Sequence, residues 1–271
     1  MDSLTFLYKT VCGRLFLKLL STRAFSKLGG VFLDSPLSAI LIKSFARKNS
    51  IVLDDYELDG IKSFNEFFRR KIKAGKRVFD MEPTRLCSPC DGLLSVWKIE
   101  DSDGTIIPVK QSRYTITSLL QNPELAASYR GGLCLVFRLC VNHYHRYAYA
   151  DSGHKGPNVF IPGIFHTVRP IALETFPVFT QNSREYTVIE SPLFGPLVQM
   201  EVGAMLVGRI VNHEEEAQVK RGDEKGFFEY GGSTIILLLQ KDKVKINPEL
   251  LENSGHGIES PVKMGQVIGT I

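Results

Sequence analysis

The sequence predicts an α+β protein, with a mostly antiparallel β catalytic domain behind an N-terminal amphipathic helical region. Three observations carry this. Residues 3–48 repeat apolar residues at helical spacing among Lys and Arg. From residue 84 onward, short β-branched or apolar runs alternate with Gly, Pro, Asn and Asp. The 271-residue chain is 44% hydrophobic, enough to bury a sizeable core and too apolar for disorder.

The helical region comes first. Leu4, Leu7, Tyr8, Val11 and Leu15 form an apolar stripe, with Lys9, Arg14 and Lys18 set among them. Ser35-Pro36 reads as an N-cap with proline at the first helical position, followed by Leu37, Ile40, Leu41 and Phe45. Residues 1–50 hold eight Lys/Arg against Asp2 and Asp34, so this segment carries +6 of a net +4 and the remainder is slightly acidic. A basic amphipathic segment on a near-neutral body fits an anionic partner, membrane surface or nucleic acid. Packing onto the protein's own core is the plainer alternative. The longest aliphatic runs, 39–42 and 235–239, fall far short of the roughly 20 residues that span a bilayer, and no signal peptide is evident.

Ser63-Phe64-Asn65-Glu66 is a capping-box signature. It predicts a helix with Phe64, Phe67 and Phe68 on one face and Arg69, Arg70, Lys71 and Lys73 crowding its C-terminal end, where the helix dipole favours cations. Strands are then expected over 93–99, 104–109, 133–139, 159–161, 187–189, 197–202, 205–211, 226–230, 234–239 and 266–271. One brief helix is expected near 117–129. The five cysteines are odd in number and fit a reducing compartment.

Several motifs carry chemistry. Phe228-Glu229-Tyr230-Gly231-Gly232-Ser233-Thr234 sets a diglycine between two strand-like runs, a strong hairpin signal. Ser233 reads plainly as a turn residue. Chemically it reads as an internal nucleophile, because a serine hydroxyl attacks the preceding carbonyl when the backbone is bent and a base is near, and Gly232 leaves that carbonyl open. His143 and His145, two apart on a strand, face the same way. Two histidines need at least one more ligand to hold a metal, and none is suitably spaced, so acid–base work is the better reading and no metal is expected. Cys87-Ser88-Pro89-Cys90 lacks the second pair a zinc ribbon needs. Asp91 before Gly92 is a turn carboxylate or the group that orients a histidine.

Taken together, these segments resemble the phosphatidylserine decarboxylase family, which uses a pyruvoyl group. Ser63-Phe64-Asn65-Glu66-Phe67-Phe68-Arg69-Arg70-Lys71 is similar to a helix of that family. Ser88-Pro89-Cys90-Asp91-Gly92 resembles its Pro-x-Asp-Gly turn, and His143-Tyr144-His145-Arg146 its Asp-Tyr-His-Arg segment. Asn182-Ser183-Arg184 stands where the family has Asn-Glu-Arg, and Glu201-Val202-Gly203-Ala204 resembles its Val-Gly-Ala strand. Lys220 to Phe228 leads into Gly232-Ser233-Thr234 as the family's segment leads into its Gly-Ser-Thr cleavage site. The similarity runs from about residue 60. It sets expected boundaries of a membrane-association region at 1–60 and a catalytic domain at 61–271.

The resemblance implies self-cleavage between Gly232 and Ser233 into subunits 1–232 and 233–271, with Ser233 becoming the pyruvoyl cofactor. It further implies that the pyruvoyl carbonyl forms a Schiff base with phosphatidylserine, that CO2 is lost, and that phosphatidylethanolamine is released. Asp91 and His145 are assigned by resemblance to activation of Ser233, His145 also to proton handling in turnover, and His143 to a supporting role. Implied partners are phosphatidylserine, an anionic membrane surface on the cytoplasmic face and the chain's own small subunit, with a homo-oligomer left open and no nucleic acid. Four positions depart from the family pattern: Ala148 replaces a second histidine, His143 an aspartate, Ser183 a glutamate, and Gly231 a leucine. A pyruvoyl decarboxylase of a soluble amino acid, an unprocessed lipid-binding relative and an Asp-His-Ser hydrolase are the competing readings. Ser260 to Gly269 also resembles half of a lipoyl-carrier motif, but Lys263 has a methionine only after it and not on both sides, so only a shared β-fold is read there.

Overall fold

The computed structural model describes residues 3–20, 22–102, 104–109, 112–168, 170–173, 177–204, 210–229 and 233–271. The amphipathic region is a run of short helices: α1 (Ser3–Lys9), α2 (Val11–Leu20), α3 (Arg23–Asp34) and, after a 3₁₀ turn at Pro36–Ala39, α4 (Ile40–Lys48). Ser35 is extended but does not cap the turn that follows. Its hydroxyl donates back to the Phe32 carbonyl at 2.6 Å and so closes α3 instead.

Of the predicted apolar stripe Tyr8 is buried, whereas Val11, Leu15, Leu37, Ile40 and Leu41 face outward; beyond the stripe Leu17, Leu33 and Ala46 are buried and Phe16, Leu28, Val31 and Phe32 face outward. Tyr8 fastens α1 to the β domain, its hydroxyl accepting from the Thr167 N–H at 3.1 Å. Among the described residues no single helix is long and apolar enough to cross a membrane.

Helix α5 (Phe64–Phe68) begins with the predicted capping box. Ser63 Oγ accepts from the Glu66 N–H at 3.2 Å, and the Glu66 carboxylate accepts from the Ser63 N–H at 3.3 Å. Phe64, Phe67 and Phe68 are buried, and Leu33, Ile42 and Phe45 pack on this helix. Of the basic residues that follow this helix, Arg70 is buried. It is 2% exposed, with its guanidinium 4.1 Å from the Tyr56 ring centroid and 4.9 Å from that of Phe67. The two ring faces attract the cation, while burial pushes its pKa down.

The β domain is organised by one large antiparallel sheet. Its strands run in the spatial order Ala217–Val219, Gly153–Lys155, Arg184–Ser191, Gly195–Val202, Ser233–Leu239, Leu133–Leu139, Gly92–Lys98 and Ser260–Val262, with Val159–Ile161 beside Arg184–Ser191. The middle strands are buried on both faces, which is why they read as continuous apolar runs.

One face packs Leu197, Ile235, Leu237, Leu135 and Phe137 against a second sheet made of Ile210–Asn212, Glu224–Phe228 and Arg146–Ala148. Within this second sheet Gly226 has no room for a side chain: a Cβ there would lie 2.0 Å from the carbonyl oxygen of Val211 on the neighbouring strand. The other face packs Val198, Met200, Val202, Ile236 and Leu238 against helices at Ile116–Leu120, Pro123–Ala127 and Val178–Gln181. The single helix expected near 117–129 is therefore two. Gln121 adopts the left-handed conformation (φ 51°) and ends the first, and the Asn122 side chain caps the second. Of the strand expected over 205–211, residues 205–209 lie outside the described residues; Ile210–Asn212 forms a strand.

Asn182-Ser183-Arg184 cross-links this framework. Asn182 Nδ2 donates to the His166 and Gly203 carbonyls at 2.8 and 2.7 Å. The fully buried Arg184 donates to the carbonyls of Leu119, Thr180, Asn182 and Ser118. These oxygens satisfy a guanidinium that has no carboxylate beside it, and burial lowers its pKa to about 10.

Candidate active site

Three neighbouring strands bring the predicted site residues to one end of the large sheet. Ser233 opens its strand opposite Leu139, the last residue of the adjoining strand, and Leu93 lies opposite Arg138 on the far side of that strand. Asp91 precedes the Gly92–Lys98 strand, and the loop after Leu139 carries His143 and His145. All the sequence-predicted side chains that lie in described residues thus gather at this end. Gly232, the other half of the expected cleavage site, lies outside the described residues with Tyr230 and Gly231.

Ser233 is completely buried, and its Oγ has no hydrogen-bond partner among the described residues; the same holds for Thr234 Oγ1. A buried hydroxyl left unpaired costs about 1–3 kcal/mol, so two in succession on a central strand mark a place not optimised for stability.

His145 is buried, and its Nδ1 lies 2.9 Å from the His143 carbonyl oxygen. A carbonyl only accepts, so Nδ1 carries a proton and proton transfer by this ring would run through Nε2. The Phe68 ring covers the imidazole, with centroids 4.1 Å apart and planes inclined by 39°. The His145 carbonyl accepts from the Phe228 N–H at 2.9 Å, tying the histidine to the Glu224–Phe228 strand. His143 has the opposite tautomer, because its Nδ1 accepts from the Cys140 N–H at 3.1 Å. Burial lowers its pKa, with Lys263 and Arg138 adding to the effect and Asp91 opposing it.

Asp91 is held by other groups. Arg77 donates Nε–H to Oδ1 at 2.7 Å and Nη2–H to Oδ2 at 2.5 Å, a bidentate pair that is nearly buried. The Met264 N–H donates to Oδ1 at 2.9 Å, and Lys263 Nζ lies 3.8 Å from Oδ2. Asp91 therefore anchors the turn between the last two strands, and the hydrogen bond that fixes the His145 tautomer comes from a backbone carbonyl.

Sequence reasoning did not find two of these supports. Arg77 sits in an unpatterned basic stretch, and nothing in its spacing points to Asp91. Phe68 reads as core from its helical periodicity, which gives no sign of the imidazole it covers. Ala148 is buried, and its N–H donates to the Pro89 carbonyl at 2.9 Å.

The site thus holds a buried hydroxyl with no hydrogen-bond partner among the described residues, a histidine oriented by a backbone carbonyl and a carboxylate clamped by Arg77. These groups have the chemistry for nucleophilic attack and for proton transfer. The sequence profile of the phosphatidylserine decarboxylase family matches residues 64–270, which include every one of these groups. Phosphatidylserine decarboxylase proenzyme 2 of Clostridium acetobutylicum is 43% identical over 267 residues, covering 98% of this chain and 91% of that protein. The phosphatidylserine decarboxylase proenzyme of Ruminiclostridium cellulolyticum is 41% identical over 97% of this chain and 89% of its own length. That of Clostridium perfringens is 38% identical over 97% and 90%. With the profile spanning the whole site and the relatives aligned nearly end to end, the chain belongs to the phosphatidylserine decarboxylase family.

Proposed function

We propose that this chain is a proenzyme that cuts itself between Gly232 and Ser233 and then decarboxylates phosphatidylserine to phosphatidylethanolamine at a lipid surface. The observation that carries the reading is Ser233: fully buried, unpaired at Oγ among the described residues, and first in its strand after the diglycine. His145 Nε2 takes the hydroxyl proton as Oγ attacks the carbonyl of residue 232, which moves the acyl group from nitrogen to oxygen. Loss of the Cα proton then expels the carboxylate of residue 232. Water replaces the freed amino group, released as ammonia, and a ketone remains at the head of residues 233–271.

The residues present fit a pyruvoyl group at this position. The orphaned hydroxyl is its precursor, the site is buried from water, and the strand ladder to Leu139 and Val202 would hold the new terminus. That ketone supplies an electron sink for the pair left behind when CO2 departs from a substrate joined to it through its amine. His145, oriented by its Nδ1 hydrogen bond and packed against the Phe68 ring, is the group that accepts and returns protons. The family's pattern and the proenzyme names of the relatives support the same reading.

After the cut, residues 233–271 stay bound as the small subunit. They supply the middle strand of the large sheet, the Ser260–Val262 strand on Gly92–Lys98 and the Val267–Thr270 strand on Arg85–Cys87. Glu259 pairs with Arg138 across the divide, and the Met264 N–H donates to Asp91.

The outward apolar side chains of α1–α4, set among exposed Lys9, Arg14, Lys43, Arg47 and Lys48, support seating on an anionic membrane. Intact mass measurement and a denaturing gel test the reading. Two chains are expected, the smaller beginning at position 233 and blocked to Edman degradation. An intact chain that still decarboxylates overturns it. Flotation with phosphatidylserine vesicles separates a lipid substrate from a soluble amino acid.

A further inference from the structure

Splitting a chain at a serine takes two proton abstractions. One comes from the hydroxyl as it attacks, the other from Cα as the carboxylate leaves. The His145 imidazole accounts for one, and position 148, where the family carries a second histidine, is Ala148.

The other neighbour of the Ser233 strand carries a second buried base. Register places Glu201 opposite Ile235 and Val202 opposite Thr234. Side chains alternate along a strand, so Ser233, Ile235 and Glu201 share one face of the sheet. Ser233 lies one diagonal step from Glu201, roughly 7–8 Å between Cα atoms and within reach of a long side chain. Glu201 is fully buried. Its Oε2 accepts from Lys225 Nζ at 2.6 Å and from Asn212 Nδ2 at 3.1 Å. Its Oε1 has no hydrogen-bond partner among the described residues.

Around this carboxylate Lys225 and Asn212 favour the charged form, Glu185 beyond Asn212 opposes it, the Tyr147 ring centroid lies 5.7 Å from Lys225 Nζ, and Lys155 is a second nearby cation. Burial raises its pKa above the ordinary carboxylate value. A lone ion pair needs one carboxylate oxygen. Here the second oxygen is left unpaired on the same face as an unpaired serine hydroxyl.

We propose that Glu201 is the second base of self-processing, taking the Cα proton of Ser233 once the acyl group has moved to Oγ. The electrons of the Cα–H bond become the Cα=Cβ double bond, the Cβ–Oγ bond breaks, and the carboxylate of residue 232 leaves with that pair. Lys225 holds the other oxygen and orients the carboxylate. This deepens, and rests on, the self-cleaving reading above.

The test uses the full chain as wild type, Glu201→Gln and the double variant Glu201→Gln with Lys225→Met, each analysed by intact mass and denaturing gel before and after neutral hydroxylamine. Glutamine keeps the shape but removes the base. The double variant also removes the buried cation, so an unpaired lysine does not decide the result. Both variants are expected to stall after acyl transfer as one full-length polypeptide. Hydroxylamine should split this into 1–232 and a 233–271 fragment with a free N-terminal serine, while release of the blocked subunit slows about a hundredfold. A purely structural role for Glu201 produces no hydroxylamine-labile ester. Maturation of either variant at the wild-type rate overturns the proposal, as does a hydroxylamine-resistant full-length product from both. Wild type running as a single chain would instead overturn the self-cleaving reading itself.

Discussion

The N-terminal helices and the Ser233 end of the large sheet break the usual rule of burial in opposite directions. On α1–α4 large apolar side chains face outward, Leu37 at 78% and Ile40 at 83% exposure. At the sheet end, the hydroxyls of Ser233 and Thr234 and one oxygen of Glu201 are buried with no hydrogen-bond partner among the described residues. Each departure lowers the stability of the isolated chain, and each makes sense once something else is supplied: lipid for the helices, a reaction for the sheet end. The two regions meet at α5, whose Phe64 and Phe68 pack under Leu33, Ile42 and Phe45 on one side while Phe68 covers His145 on the other.

Substitutions can separate the two. The largest effect belongs to Ser233→Ala, which should leave a single uncut chain on a denaturing gel, with no decarboxylation in a CO2-release assay, yet with vesicle binding intact. Next is His145→Ala. Loss of a positioned base should slow appearance of the small subunit by about 10²–10⁴-fold in a time course of cleavage after refolding; an unchanged rate would assign the hydroxyl proton to another group.

Arg77→Ala strands the Asp91 carboxylate and should cost about 3–5 kcal/mol in urea unfolding, because a nearly buried charge loses its partner. A small change there would mean that Met264 and Lys263 suffice to hold Asp91. In the helical region, Leu37→Glu with Ile40→Glu should weaken flotation with phosphatidylserine vesicles by about 10²–10⁴-fold, at about 1.5–3 kcal/mol per withdrawn side chain. Neither should move the urea midpoint, since both side chains already face outward. Retained flotation would place the lipid contact elsewhere.

The smallest effect is that of pH on stability. Burial lowers the pKa of His143 and His166 below the ordinary 6.5. The unfolded chain therefore binds more protons than the folded one just below that value. The stability these residues contribute is complete above about 6.5 and is lost as pH falls from there through their lowered folded values. Urea melts at stepped pH check this, and His143→Gln should flatten part of the slope.

Much of the fold was legible because strand signals here are local. Leu133–Leu139 and Val159–Ile161 have the boundaries their composition predicts. The Arg184–Ser191 strand was legible only at its centre, because Arg184, Glu185 and Glu190 interrupt the β-branched pattern and the ends are held by pairing to Gly195–Val202. Ser35 has the composition of a cap, but its hydroxyl found a nearer acceptor in the preceding turn. The site was legible as residue types: Asp91, His145 and Ser233 were chosen for chemistry, and the sheet brings their segments to one end. What orients them was not legible. The His143 carbonyl carries no mark in sequence, the Arg77–Asp91 clamp depends on a long-range approach, and the unpaired state of Glu201 Oε1 exists only after two strands align.

The middle position of the Ser233–Leu239 strand fixes an order of events. Both of its edges are laddered, to Gly195–Val202 and to Leu133–Leu139, so the sheet closes while the polypeptide is still continuous. Under the proposed cut, that strand later belongs to a separate short peptide. Reassembly after unfolding would then be a bimolecular search at cellular dilution instead of a closure within one chain at millimolar effective concentration. Maturation would convert a reversibly folding polypeptide into one that, once opened, does not find its way back.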